Sequence, residues 1–436
     1  MYKVVSLFSG CGGLDLGFKK AGFELSFATD HDQYAVEVYR RNVDERAYVL
    51  DVTHQDFHKA ISELGDIDVV LGGFPCQGFS KAGPKKIDDT RNSLYLQMLS
   101  TVEKLQPRIF IAENVDGLRQ NFGGKYLKEI INDFSRIGYQ VEYRVLDAAA
   151  FGLPQHRRRI FFVGTRDCTD FEWPLPTHKL PRRNGDAPLD AGFLFESSKG
   201  NAELEPTRSV RDAIAGMPPL GHFPDHQIVR NWPKKHDEIM EMIGPGQKLC
   251  NVRFSETSVY TWDIPKAFGD VSKKQRVILE KIGKNRRKKI YGSIPNGNPI
   301  PSDEIARLTG DKEIPQNDLA DLVSKGYLKK IGDSYDLKGA MFCSGLFKRL
   351  PWDLASPTVL TNFYNPRFFL HPAENRPLSL RECARLQGFP DSFAITTSDS
   401  PEELTAGYRL IGNAVPPPLA HAFAISTIRT LSKDTR

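Results

Sequence analysis

Over the first 166 positions, hydrophobic residues gather into short apolar runs separated by amphipathic stretches. Val4–Leu7, Leu25–Ala28, Val69–Leu71, Ile109–Ala112, Val141–Leu146 and Ile160–Val163 have the length and the β-branched or aromatic content of buried strands. Between them, Gln33–Arg41, Leu94–Leu105 and Tyr126–Ile137 place apolar residues at helical spacing. Strands without polar alternation, joined by amphipathic helices, predict an α/β fold: a mixed, mostly parallel sheet with helices on both faces. Such sheets bind ligands beyond the carboxyl ends of their strands, so chemistry is expected there.

Past residue 168 this rhythm stops, and proline and glycine become frequent. Three segments read as helices: Val277–Ile282, Asp303–Leu308 with Ser302 as its N-cap, and Asn317–Lys325. Two strands follow, Tyr327–Ile331 and Tyr335–Leu337, across the turn Gly332-Asp333-Ser334. Helices before a basic hairpin resemble a winged-helix module near 272–340; an irregular insert with local helices is the alternative. Regular patterning returns at Leu378, with a helix at Arg381–Gln387, a break at Gly388-Phe389-Pro390 and a final helix to about Thr430. The expected division is a discontinuous α/β domain, 1–167 and 376–436, around a smaller irregular region, 168–375.

A chain of 436 residues with 40% hydrophobic and 26% charged residues is composed like an ordinary globular protein, here of two or three domains. No run approaches the ~18 apolar residues of a membrane span, and no signal-peptide pattern follows Lys3, so a cytoplasmic protein without membrane contact is expected. The net charge of +5 is modest, but six of the nine residues from Lys281 to Lys289 are basic and none is acidic. Such a run either forms a solvated face or draws phosphates by releasing their counterions. Six cysteines (Cys11, Cys76, Cys168, Cys250, Cys343, Cys383) are scattered without a C-x-x-C pair. That spacing opposes a disulfide framework and a metal site, and leaves room for one reactive thiol.

Candidate chemistry begins after the first strand. In Leu7-Phe8-Ser9-Gly10-Cys11-Gly12-Gly13-Leu14 the glycines permit a tight turn and close approach of a ligand to the backbone. The loop lacks the last glycine of G-x-G-x-x-G, although a nicotinamide-dependent dehydrogenase is the first competing reading. Asp30 ends the second strand, where a carboxylate can hold ribose hydroxyls, and Asp51 ends the third, placed for an adenine amino group; either could instead cap a helix. In Gly72-Gly73-Phe74-Pro75-Cys76-Gln77-Gly78-Phe79-Ser80 the strand delivers Cys76 to the same edge. A lone cysteine is ordinarily a small buried hydrophobe, but here Pro75 stiffens the chain before it and glycines on both sides permit an exposed turn. Glu113 finishes the next strand in Glu113-Asn114-Val115. Burial there raises its pKa and suits it to donate a proton.

Six motifs then stand in order: Phe8-Ser9-Gly10-Cys11-Gly12-Gly13, Pro75-Cys76-Gln77, Glu113-Asn114-Val115, Gln155-His156-Arg157-Arg158-Arg159, Arg381 through Pro390, and Gly412-Asn413-Ala414-Val415-Pro416. The succession resembles the C5-cytosine DNA methyltransferase family of restriction-modification or orphan type, and covers about half the chain. The resemblance implies an S-adenosylmethionine-dependent, Rossmann-like fold with a target-recognition region at 168–375. It implies methyl transfer to carbon 5 of a flipped-out cytosine in a specific double-stranded DNA sequence, leaving S-adenosylhomocysteine. Carbon 5 is a poor nucleophile until a thiolate adds at C6, the role matched by Cys76. Glu113 would act at N3, and Arg157 and Arg159 would hold the base and the carboxylate. Residues carried over for the cofactor are Phe8, Gly10, Cys11, Gly13, Asp30, His31, Asp51, Val52, Pro75, Leu94, Asn413 and Ala414. Two positions depart from the family: His31 stands where an aromatic ring is frequent, and Arg158 where glutamate is. DNA contacts are expected from Gln77, from Ser80 and Lys81 in a loop, Ser80–Lys86, closing over the base, from Thr358, and from base-reading residues in 168–375. Arg381 through Pro390 is expected to tie the lobes together. A monomer at the nucleoid, with a cognate restriction endonuclease acting separately, completes the picture.

Other readings account for less. Amino-methyltransferases need an Asp/Asn-Pro-Pro-aromatic cluster, which the sequence lacks. A tRNA cytosine methyltransferase would share the mechanism, but the insert of about 200 residues favours DNA. A non-catalytic DNA-binding regulator has no need of both Cys76 and Glu113, and a dehydrogenase leaves every motif after Asp51 unexplained.

Overall fold

The computed structural model describes residues 1–75, 94–119, 124–166, 170–180, 204–251, 255–294, 297–313, 316–338 and 345–433. Seven strands form the main sheet: β1 Lys3–Leu7, β2 Glu24–Asp30, β3 Ala47–Val49, β4 Val69–Gly72, β5 Ile109–Val115, β6 Gln140–Asp147 and β7 Arg158–Thr165. Their order is β3-β2-β1-β4-β5-β7-β6. The first five run parallel, while β7 is antiparallel to both β5 and β6. Val4, Val5, Val69, Val70, Ile109 and Phe110 are buried, as expected of a sheet covered on both faces. The covering helices are α1 Gly13–Lys20, α2 Gln33–Asn42, α3 Gln55–Ser62, α4 Leu94–Leu105 and α5 Lys125–Arg136. Strand order reverses between β1 and β4, which opens a crevice at their carboxyl ends. The third strand, expected to end at Asp51, is β3 and ends at Val49; it shows no apolar run because two of its three residues are exposed.

The chain divides into two compact units, Met1–Gln227 with Asp353–Asn362 and Leu380–Arg436, and Ile228–Trp352 with Phe363–Ser379. The first therefore runs well past the expected boundary at 167. A buried ion pair accounts for part of this: Arg381 holds Asp225 at 2.6 Å, with both side chains 3% exposed or less. Val210 N also donates to Leu354 O.

In the second unit lie α6 Lys273–Asn285, β8 Ile300–Pro301, α7 Ser302–Thr309, α8 Gln316–Ser324, β9 Leu328–Ile331 and β10 Ser334–Leu337. The three strands form an antiparallel sheet in the order β8-β10-β9. Ile278, Ile282, Ile305, Leu319, Leu322 and Tyr335 share its core. Ser272 caps α6 reciprocally with Gln275. Ser302, expected to be a cap, is instead the first residue of α7, with Pro301 in the cap position and no side-chain capping bond. β8 is too short to leave a periodic signal.

The first unit is completed by α9 Leu380–Leu386, α10 Pro401–Asn413 and α11 Pro417–Lys433. α11 lies against α1 where Gly17 has no side chain; a Cβ there would fall 2.5 Å from that of Ala420. Phe423 of α11 packs 4.4 Å from Phe161 of β7, ring centre to ring centre. Among the described residues no helix is long and apolar enough to cross a membrane.

Candidate active site

The loop after β1 turns through three left-handed residues, Phe8 (φ 55°), Gly10 (φ 54°) and Gly12 (φ 87°). Glycine is required at 12, where a Cβ would strike Val43 and Tyr39 at 2.7 and 2.8 Å. It is required at 13 too, where a Cβ would stand 2.3 Å from the carbonyl oxygen of Val415. Phe8 holds its left-handed conformation with a side chain, so backbone strain is stored beside the crevice. Asp30 shapes the loop: Gly10 N donates to one carboxylate oxygen at 2.9 Å and Asp32 N to the other at 3.0 Å. Burial pushes that carboxyl up, but hydrogen bonds from His31, Asp32 and Gly10 outweigh it and hold the pKa below the usual range. The same contact raises the pKa of His31, whose side chain is 80% exposed. Asp51 accepts from the amide and hydroxyl of Thr53 at 2.8 and 2.7 Å.

Every residue carried over for the cofactor, from Phe8 to Ala414, lines one cavity of about 600 Å³. Glu113 and Arg159 line it as well. Glu113 is buried, and Arg159 Nε lies 2.8 Å from its carboxylate. In the β5–β7 register Val115 faces Arg159 and Glu113 faces Phe161, so Glu113 and Arg159 are diagonal neighbours on one face. Burial raises the Glu113 pKa, while Arg159 and Arg157 pull it partway back. Asn114 Nδ2 donates to Phe74 O at 3.1 Å and pins the segment before Cys76. A Cβ at Gly73 would lie 3.6 Å from Glu113 Oε2, so this segment runs alongside the carboxyl. Pro75 lines the cavity; Cys76, Gln77, Ser80 and Lys81 lie outside the described residues. Among the described residues Cys11 is the cysteine that lines the cavity, and burial pushes its pKa up to about 12, which disfavours the reactive thiolate.

The three consecutive arginines have three different surroundings. Arg159 meets Glu113, and Arg158 reaches Asp116 at 3.2 Å with its side chain 40% exposed. Arg157, expected to hold the base or the carboxylate, is not among the cavity-lining residues and is fully buried. Its guanidinium donates to Val359 O at 3.2 Å and Gly412 O at 2.9 Å. Gln387 Nε2 donates to Ala414 O at 2.6 Å and is itself held by Gln155 at 2.7 Å. Asn413 thus sits between two carbonyls, each fixed by a buried side chain. Thr358, expected to touch DNA, donates its hydroxyl to His156 O at 2.7 Å.

Charged cavity residues without a sequence signal include Arg409, Asp32 and Asp15. Arg409 of α10 lies 2.7 Å from Asp32. Asp15 is buried beneath the glycine loop, accepts from Tyr39 Oη at 3.0 Å, and has a pKa raised by burial to about 6. The cavity's chemistry suits an adenosyl sulfonium. Apolar Phe8, Val52 and Leu94 can flank a purine, and the carboxylates Asp30 and Asp51 can accept from hydroxyl and amino groups.

A family model described as C-5 cytosine-specific DNA methylase matches residues 2–429. The type II methyltransferase M.AgeI of Thalassovita gelatinovora is 31% identical over 440 aligned positions, covering 97% of this chain and 98% of its own. M.DdeI of Desulfomicrobium norvegicum is 30% identical, with 97% and 87% covered. A solved structure, described as a prophage-encoded DNA modification methyltransferase of E. coli, shares the fold with a TM-score of 0.55 at 23% identity, over 99% of this chain and 100% of that one.

Proposed function

Because the chain belongs to the C-5 cytosine-specific DNA methylase family, we propose that it attacks cytosine through Cys76 and activates the ring with Glu113. The enzyme methylates carbon 5 of cytosine in DNA. Bound S-adenosylmethionine supplies a methyl group made electrophilic by the positive charge on its sulfur. The observation that carries the residue assignment is that Glu113 and Arg159 line the same cavity as the glycine loop and Pro75, with Cys76 next in the chain.

The Cys76 thiolate forms a bond to C6, and the C5–C6 π electrons move toward C5 and N3. Glu113, kept protonated longer by burial, gives its proton to N3 and leaves C5 nucleophilic. Arg159 fixes the carboxyl in place. After methylation C5 loses its proton to a base, the S–C6 bond breaks, and N3 returns its proton to Glu113. Arg157 acts at one remove: by holding the Gly412 carbonyl, it positions the Asn413–Ala414 segment of the cofactor site. A target cytosine must leave the stack to expose C6, which makes DNA flipping part of the reading. The relatives named above are type II methyltransferases, and this supports a separate endonuclease against whose cutting the mark protects.

A duplex carrying 5-fluorocytosine tests the nucleophile, because without a proton to lose at C5 the adduct cannot collapse. Wild type and donor should yield a denaturant-stable protein–DNA complex. C76A should give none and make no 5-methylcytosine, while binding donor normally in calorimetry. Product formation by C76A would exclude Cys76.

A further inference from the structure

We propose that residues 272–338 form a winged-helix module that grips duplex DNA through the exposed stretch Arg287-Lys288-Lys289, not through the helix such modules usually lay in the groove. The inference rests on the reading of the chain as an enzyme acting on DNA, and assigns a phosphate-binding surface within it.

The order α6-β8-α7-α8-β9-β10, with sheet order β8-β10-β9, is that of a winged helix, and Cys250 and Trp262 from the chain before it complete its apolar core. In that arrangement the third helix, α8, is the one expected to enter the major groove. Its charged residues are Asp318 and Asp321, and its last turn has no basic residue. Asp321 is engaged by Lys325 at 2.7 Å and Gln275 at 2.8 Å. Two carboxylates approaching a phosphate backbone would be repelled.

Positive charge gathers where α6 ends. Arg286 turns inward and forms a bidentate pair with Asp336 of β10 at 2.6 and 2.8 Å, both side chains being at most 6% exposed. Asp336 also draws Lys329 of β9 to 3.5 Å. Asn298, buried, closes the turn from the other side: its amide N donates to Arg286 O at 2.7 Å, and its side-chain oxygen accepts from Ile294 N at 3.0 Å. A Cβ at Gly297 would stand 2.4 Å from the Arg286 guanidinium carbon, so the loop and this anchor are packed together. Next along the chain, Arg287, Lys288 and Lys289 are exposed, and among the described residues none has an ion-pair partner. The nearby carboxylate of Glu304 is occupied by Arg307 at 2.6 and 2.7 Å and by the Tyr291 hydroxyl at 2.7 Å. Three exposed cations on a fixed turn, none in an ion pair among the described residues although Lys288 feels the Glu304 carboxylate, form a surface for successive phosphates that carries no base information.

Fluorescence anisotropy on a duplex oligonucleotide at several salt concentrations tests this. Compared with wild type, R287Q/K288Q/K289Q should flatten the plot of log affinity against log salt by about 2.7, at ~0.9 per phosphate. Wild type should then lose about 40-fold more affinity than the variant between ~50 and ~200 mM salt. Thermal unfolding and donor binding should not change, and K288E alone should lower affinity. D318N should leave DNA affinity near wild type. Equal slopes for wild type and triple variant overturn the proposal, as does tightening by D318N or a loss seen only with an RNA hairpin. Failure of the wild-type protein to bind any duplex would instead overturn the underlying reading as DNA enzyme, and this proposal with it.

Discussion

Replacing Arg157 by methionine separates a residue that positions from one that touches the reacting base. The change keeps an unbranched stem but removes a guanidinium that is fully buried and holds the carbonyls of Val359 and Gly412. Hydrogen bonds from a charged donor contribute about 1.5–3 kcal/mol each, so losing both costs about 3–6 kcal/mol. Removing an enclosed charge returns part of this, since burial already depresses the Arg157 pKa well below its ordinary value. The net loss should be about 2–4 kcal/mol, read as a lower urea midpoint with unchanged slope. Donor affinity should fall, because Gly412 adjoins Asn413 in the cofactor cavity. Once donor is saturating, kcat should stay within about tenfold of wild type, a loss smaller than that expected for a group acting on the base. Arg157 also lowers the Glu113 pKa, so the alkaline limb of the rate profile should move to higher pH in R157M. A variant as stable as wild type, with normal donor affinity and kcat down by orders of magnitude, would refute the positioning role.

Three further outcomes are expected. In E113Q, kcat should fall about 100-fold or more, and the decline of rate with rising pH, set by the raised Glu113 pKa, should disappear from the profile. Asp15 titrates near 6 when folded against an ordinary 3.8, so the folded state binds more protons between these values and loses stability as pH rises through them. Relative to D15N, wild type should therefore lose up to about 3 kcal/mol between pH ~4 and ~6, as measured by denaturant unfolding of both proteins across that range. Cys11, with its thiol pushed up to about 12, should resist alkylation at pH 8 in the folded protein and react once unfolded; rapid labelling of native Cys11 in a mass-spectrometric peptide map would contradict its enclosure.

The strands that carry the site were legible because most are buried on both faces and read as uninterrupted apolar runs. β3 left no such run for the opposite reason, since Tyr48 and Val49 face outward, and only the acid expected at its end, Asp51, marked its place. Glycines and acids at strand ends marked the cavity well, because a close-approach turn and a carboxylate above a sheet edge have few other uses. The partnership of Glu113 with Arg159 depends on β7 entering antiparallel between β5 and β6, a non-sequential pairing that local pattern does not encode. Arg157 stands apart from the cavity for a related reason. Residues two apart share a face only within a strand, and β7 starts at Arg158. Its amide is instead fixed by the Asp147 carboxylate at 3.1 Å, and its side chain goes inward. The Arg381–Asp225 pair, which draws the segment before residue 227 into the first unit, joins positions with no shared motif. Arg409 and Asp15 occupy ordinary helical positions, where charge alone carries no address.

The packing of α11 on α1 at Gly17 also bears on when the site is complete. The glycine loop leaves the ribosome early, yet the cavity it begins is finished by Asn413 and Ala414, and α1 gains its cover only from residues made later still. Donor bound to a nascent chain would find half a wall. Activity is expected to wait for the end of synthesis: cell-free translation arrested before residue 400 should release a chain that neither retains donor nor marks DNA.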